Sequence, residues 1–133
     1  MFKDKSLNFR KVQEFKAFLN EIKNLGNLDS VLVSFRNGAI IAEDINLKTR
    51  ENEFDKDEFA AMCASVLESA ELISKTVGVS KFGNIIAELN DKIIMIIKVN
   101  NKIFFSFVVK NESNVEIILE KMDEIIRKLT KII

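Results

Sequence analysis

Apolar residues fall into stretches whose spacing alternates between helical and extended. Val12, Phe15, Phe18, Leu19, Ile22 and Leu25 recur at three- and four-residue intervals and predict a first helix with one apolar face. Gly26 follows, where a left-handed cap is expected, and Lys23 suits the negative end of that helix. From Leu28 to Ile45 the pattern becomes a hairpin: Val31, Leu32, Val33 and Phe35, then Asn37-Gly38, then Ala39 to Ala42. Asn-Gly is a strong hairpin signal because both positions accept positive φ. Residues 46–54 are polar and charged, a loop. Asp55 can then cap a helix, with Glu58 three residues on and Phe54 stapling onto Phe59. That helix is expected to run to about Val77, stopped by Gly78. Phe82–Leu89, Lys92–Val99 and Lys102–Val109 read as three strands joined by the turns Asn90-Asp91 and Asn100-Asn101, an antiparallel meander. Ser113 and Glu116 form a capping-box pattern. Val115, Ile118, Leu119, Met122, Ile125, Ile126 and Leu129 then mark the last helix.

The run Ile93-Ile94-Met95-Ile96-Ile97 has no alternation. A strand apolar on both sides needs cover on both sides. The expected fold is therefore an α/β (α+β) domain in the order α-ββ-α-βββ-α. Its five-stranded antiparallel sheet has helices on both faces. No linker composition interrupts the chain, so 1–133 reads as one domain, with 1–7 an amino-terminal extension and 46–54 a charged loop.

The middle helix carries the functional signal. At about 100° per residue, Phe59, Met62, Cys63, Val66, Leu67, Ala70, Ile73 and Val77 form an arc that can sit on the sheet. Ala61, Ser65, Ser69, Leu72 and Thr76 form a second, mostly small and uncharged strip, and over residues 59–77 charge is confined to Glu68, Glu71 and Lys75. A helix this bare needs cover beyond its sheet contact, and small residues allow another helix to approach closely. Self-association through this strip is the expectation.

At this point the chain resembles the roadblock (dynein light chain-type) family. "LDSVLVSFRNGAIIAED" is similar to the family's hairpin after the first helix. "EFAAMCASVLESAELISKTVGVSKFGNIIAEL" resembles its Ala-rich middle helix running into the third strand, and "KIIMIIKVNNKIFFSFVV" its fourth and fifth strands. The resemblance covers roughly residues 10–130 and lies in the order of elements. It implies a homodimer or heterodimer with middle helices packed antiparallel and third strands paired edge to edge. The helix contact would use Met62, Ser65, Ser69, Leu72 and Thr76, flanked by Ala61, and the strand contact Phe82, Asn84, Ile86 and Glu88. It further implies a non-catalytic adaptor or regulator that docks a partner protein such as a small Ras-like GTPase. The longer charged loop 46–54 and the extension before the first helix depart from the family pattern.

Composition narrows the chemistry. Lys+Arg and Asp+Glu both number 20, without the basic excess of a nucleic-acid binder. Residues 1–25 carry six basic and three acidic groups and residues 26–60 four and eight, which reads as solvated surface. Most of the eleven Phe residues fall on core faces rather than on a stacking platform. With no His there is no imidazole base, nucleophile pair or imidazole metal ligand, and with one Cys there is no disulfide or thiolate cluster. Cys63 reads as an inert core thiol. Glu51, Glu53, Asp55, Asp57 and Glu58 lack the Gly and distal Glu of a calcium loop and are interleaved with Lys48, Arg50 and Lys56. Gly26, Gly38, Gly78 and Gly83 make no phosphate loop. Arg36 and Arg50 are the candidate arginine fingers, read as ordinary turn residues. Asn111-Glu112-Ser113 matches a glycosylation acceptor but belongs to the cap. No apolar stretch is long enough to span a bilayer, and residues 1–5 do not resemble a signal peptide. The expectation is a cytoplasmic protein without cofactor, metal, nucleic-acid partner or membrane insertion, and not an enzyme. The alternative is a small-molecule-sensing α/β sandwich with a ligand between helix and sheet.

Overall fold

The computed structural model describes residues 9–26, 28–46, 54–79, 83–110 and 115–131. The amino-terminal extension, most of the loop 46–54, Arg50, Phe82 and Ser113 lie outside them. Three helices and five strands follow in the expected order: α1 (Phe9–Lys23), β1 (Leu28–Phe35), β2 (Ile40–Ile45), α2 (Lys56–Thr76), β3 (Asn84–Glu88), β4 (Ile93–Lys98), β5 (Ile103–Val109) and α3 (Val115–Leu129). All strand pairs are antiparallel, in the sheet order β2-β1-β5-β4-β3. The hairpin and the meander thus join through β1 and β5, which leaves β2 and β3 as the edges.

The main core lies between the sheet and the α1/α3 layer. Phe15, Leu19 and Ile22 of α1 and Ile118, Met122 and Ile125 of α3 pack with Val31, Val33, Ile93, Met95, Ile97, Phe105 and Phe107. Each such side chain, fully buried, contributes about 1.5–3 kcal/mol. The other face holds a smaller cluster: Cys63, Ala64 and Leu67 of α2 on Ile96 and Phe104, with Phe59, Ile85 and Ile94 at its margin. Ile93, Met95 and Ile97 go to one layer and Ile94 and Ile96 to the other, as the unalternating sequence of β4 requires.

Local signals at both ends of α2 operate as the sequence implies. Asp55 accepts from the Glu58 N–H at 3.0 Å, the Phe54 and Phe59 rings lie 5.2 Å apart, and Gly78 takes φ +78° beyond the cap. The hairpin turn differs from the two-residue form that Asn37-Gly38 suggests. Phe35 and Ala39 close the loop, the Phe35 N–H donating to the Ala39 carbonyl at 2.8 Å, and the Gly38 N–H donates back to the Phe35 carbonyl at 2.8 Å. Three residues therefore turn the chain, with Gly38 at φ +94° in the last position. The extra residue brings the tip down onto α2.

Gly38 is confined by that contact. A Cβ there would lie 2.8 Å from Ala61 Cα and 3.1 Å from Ala61 N, both unyielding helix backbone. Gly38→Ala combines left-handed strain with this clash and should destabilise the fold by about 2–4 kcal/mol. A urea unfolding midpoint measures the loss.

Candidate interaction surface

Only one line of α2 meets the sheet: Ala60, Cys63, Ala64 and Leu67 are buried. This corrects the arc expected from the sequence. Met62, Val66, Ile73 and Val77, assigned there to the sheet, point away from it; with Leu72 they are 45–68% exposed. The reason is contact with the hairpin tip. Gly38 abuts the Ala60–Ala61 backbone and Arg36 holds Glu71, which fixes the helix with Ala60, Cys63, Ala64 and Leu67 facing inward.

Taken at about 100° per residue, the outward surface divides into two flanks. Glu68, Leu72 and Lys75 occupy the first, beside an open cavity of about 660 Å³ shared with Arg36 and Lys98. Met62, Val66, Ile73 and Val77 occupy the second, with Ser65, Ser69 and Thr76 between the flanks. Past the first turn, residues 61–77 carry no charge over an arc of roughly 160° from Ala61 round to Val77, and Glu58 is the one carboxylate on that side, at the amino end of the helix. Met62, Val66, Ser69, Ile73 and Thr76 also follow a four-three-four-three spacing, that of a helix-pairing seam. All the expected helix-contact residues, Ala61, Met62, Ser65, Ser69, Leu72 and Thr76, are exposed in the single chain. The structure adds Val66, Ile73 and Val77 to them.

Beside α2 lies the edge strand β3. The Lys98 N–H donates to the Gly83 carbonyl at 3.2 Å and the Leu89 N–H to the Lys92 carbonyl at 2.8 Å. Bonded pairs alternate along an antiparallel ladder. Asn84, Ile86 and Glu88 therefore turn their backbone N–H and C=O groups to the open edge. Ile86 is exposed and Ile85 half-buried beside the α2 cluster. The opposite edge differs: on β2, Glu43 pairs with Lys56 at 2.7 Å and Asp44 with Lys23 at 3.6 Å. Charged side chains along an edge discourage strand addition. The β3 edge is apolar at its centre.

Arg36 is no free turn residue. It forms a two-pronged ion pair with Glu71, whose other cationic partner is Lys98 at 2.7 Å. The Arg36 hydrogen bonds, with help from Lys98 and against partial burial, hold the Glu71 carboxyl below its ordinary range. A signal for this cluster exists in the sequence, because Glu71 continues the helical phase of Ala60, Ala64 and Leu67. A carboxylate on the sheet-facing line requires partners. Asp29, buried at the start of β1 between Lys92 and Lys110, is a second ion cluster and carries no comparable signal. Cys63 is buried beneath α2, and burial pushes its thiol up to about 11, with the facing Ser106 hydroxyl opposing. The space between α2 and the sheet, where the alternative reading needs a ligand, is filled by Cys63, Ala64, Leu67, Ile96 and Phe104. Among the described residues no group of acidic or thiol side chains is arranged to hold a metal ion, and no helix is long and apolar enough to cross a membrane.

A model of the family described as "Mitogen-activated protein kinase kinase 1 interacting" matches residues 10–133. Among curated proteins no sequence matches. Solved structures resemble the whole chain. MglB from Myxococcus xanthus has 16% identity and a TM-score of 0.79, with 99% of this chain and 92% of that one covered. The gliding protein MglB from Thermus thermophilus has 13% identity and a TM-score of 0.80, covering 95% and 93%. A Roadblock/LC7 domain from Streptomyces avermitilis has 13% identity and a TM-score of 0.61, covering 82% and 91%. The fold is the roadblock type, as the order of elements implies.

Two measurements check the buried chemistry. A carboxyl with a depressed folded pKa stabilises fully above its unfolded pKa and loses that contribution as pH falls through the folded value. Arg36→Ala leaves Glu71 only Lys98, so stability should fall less between about pH 7 and about pH 3 than in the parent chain, read as urea midpoints. Iodoacetamide at about pH 8 should leave Cys63 unmodified in the folded protein and alkylate it in urea.

Proposed function

The chain belongs to the mitogen-activated protein kinase kinase 1 interacting family, and on that premise we propose that it is a dimeric, non-catalytic adaptor that docks a partner protein. The observation that carries this reading is the uncharged outward arc of α2. Exposed Met62, Val66, Leu72, Ile73 and Val77 gather on one 21-residue helix and its cap, an apolar patch that a soluble surface rarely leaves uncovered. A second roadblock domain is the cover that fits. Its helix would lie along the α2 seam while its third strand extends the sheet at β3, so that helix and edge are shielded together. Ala61, Met62, Ser65, Ser69, Leu72 and Thr76 then belong to the helix contact, and Asn84, Ile86 and Glu88 to the strand contact, with Phe82 preceding them.

The docked partner is a small Ras-like GTPase, the partner class that the roadblock resemblance implies, and the dimer acts on it as regulator or scaffold. The absence of His supports a role without chemistry of its own, because imidazole-based acid–base and nucleophilic devices are unavailable to this chain. A reducing, cytoplasmic setting suits the single Cys.

Ile73→Arg tests the reading. Ile73 is exposed, so the change should leave the far-UV circular dichroism of the fold intact while light scattering shows the dimer converted to monomer. Loss of folding instead would place Ile73 in the core, and a parent chain that is monomeric at micromolar concentration would remove the reading. Binding of the dimer to Ras-like GTPases loaded with GDP or a non-hydrolysable GTP analogue, followed by fluorescence polarisation, should depend on the nucleotide.

A further inference from the structure

The cleft beside the first flank of α2 has a chemistry of its own. Three elements build it: the hairpin tip supplies Arg36 and Asn37, α2 supplies Glu68, Glu71, Leu72 and Lys75, and the β4–β5 turn supplies Lys98 and Asn101. Two of these elements are tied down from behind. The Arg36 N–H donates to the Lys102 carbonyl at 2.9 Å, and the Asn100 side-chain oxygen accepts from the N–H groups of Lys102 and Ile103 at 2.7 and 2.9 Å. The volume of about 660 Å³ lies within the range of ligand pockets. We propose that this cleft is a docking site for an acidic segment of a partner protein, which inserts a carboxylate flanked by an apolar side chain. The proposal rests on the reading of the chain as an adaptor and goes on to name the chemistry that its partner presents.

The balance of donors and acceptors points to that class. Glu71 is already engaged by Arg36 and Lys98. Lys75 is exposed and has no ion-pair partner among the described residues. The Asn37 side-chain oxygen takes the Ala39 N–H at 3.0 Å, which leaves its amide N–H groups to donate elsewhere. The Asn101 side chain has no bonded partner among the described residues. Only Glu68 stands beside these donors as an uncommitted acceptor, so the cleft calls for a ligand that accepts. Charge decides which kind. Arg36, Lys75 and Lys98 face Glu68 and Glu71, a surplus of one positive charge. One carboxylate balances that surplus, whereas a phosphate dianion overshoots it next to two carboxylates. Leu72, 57% exposed, forms an apolar wall that an inorganic ion would leave in water and that an aliphatic neighbour of the acid would cover. At about 100° per residue, the cleft residues of α2 lie on the flank turned away from Met62, Val66, Ile73 and Val77, so a helix laid along that seam leaves the mouth open.

Nuclear magnetic resonance of the isotope-labelled full chain tests the site. Titration with the peptide acetyl-Leu-Glu-Leu-amide should shift the side-chain amide signals of Asn37 and Asn101. Its Gln counterpart should bind roughly tenfold more weakly, the loss expected for one hydrogen bond to a charged group. Sodium chloride raised from about 50 to about 500 mM should weaken the Glu peptide. Lys75→Glu, at an exposed position, should abolish peptide binding with the far-UV circular dichroism intact, and Lys75→Arg should retain it. Equal binding of the Gln peptide, or binding that Lys75→Glu leaves unchanged, overturns the proposal. So does inorganic phosphate that shifts the same amides at concentrations as low as the peptide, because the cleft then selects anions at large. If the parent chain dimerises and binds a Ras-like GTPase while the peptide moves neither amide, the site is overturned and the adaptor reading stands. If the peptide binds and no such GTPase does, the site stands and that class of partner falls.

Discussion

The sheet has to be sealed on two sides, and everything else in this molecule follows from how unequally that is done. β4 and β5 present apolar residues to both faces, so neither face can meet water. One face receives two helices and a dense layer of Phe, Ile and Met. Among the described residues the other receives α2 alone, across five strands. A single helix about 10–12 Å across cannot cover a sheet whose strands lie about 4.8 Å apart. The shortfall appears where no further element comes: along the outer flank of α2 and at β3.

The position of α2 is set from one end of the sheet. The β1–β2 tip touches it through Gly38, where two backbones meet without an intervening side chain, and grips it through Arg36 and Glu71. These contacts choose which residues of a nearly uniform apolar helix turn inward. They send Ala60, Cys63, Ala64 and Leu67 to the sheet and leave the larger Met62, Val66, Ile73 and Val77 outside. Burial of the most apolar surface alone does not decide the rotation: Leu67 goes beneath the helix while Met62, Ile73 and Val77 stay outside.

Much of this is legible in the sequence, for reasons that vary by residue. Periodicity gives α1 and α3 their buried faces correctly because each has one apolar stripe and one charged side. The capping of α2 is legible because Asp55, Glu58, Phe54 and Phe59 interact over a few residues. The two-sided burial of β4 follows from its lack of alternation. The phase of α2 does not emerge from spacing, since apolar and small residues surround most of that helix and a wheel has no unique inward direction. Only a contact distant in sequence resolves it, as Gly38 on Ala61 does. The Asp29 cluster is silent for the same reason: Asp29 and Lys92 are 63 positions apart and meet only after β1 and β4 have both joined β5. The interface candidates fall between these cases. Their lack of charge is evident from the sequence, while their division into two flanks requires the fold.

Beneath α2 the sheet presents Ser30, Ser34 and Ser106, all buried, where the other face has Val and Phe. The hydroxyls of Ser30, Ser34 and Ser106 have no hydrogen-bond partner among the described residues. Around Leu67, Ile96 and Phe104, the short side chains of Ala60, Cys63, Ala64 and these serines keep much of this layer thin, and its buried cluster contains no Met able to swing into a gap. Damage on this side therefore cannot heal by local rearrangement in the way a Met-rich core can absorb it. The two faces should age differently under random substitution: the thick one tolerant of exchanges among large apolar residues, the other admitting little beyond Ala, Ser, Cys and Gly at Ala60, Cys63, Ala64 and the three serines.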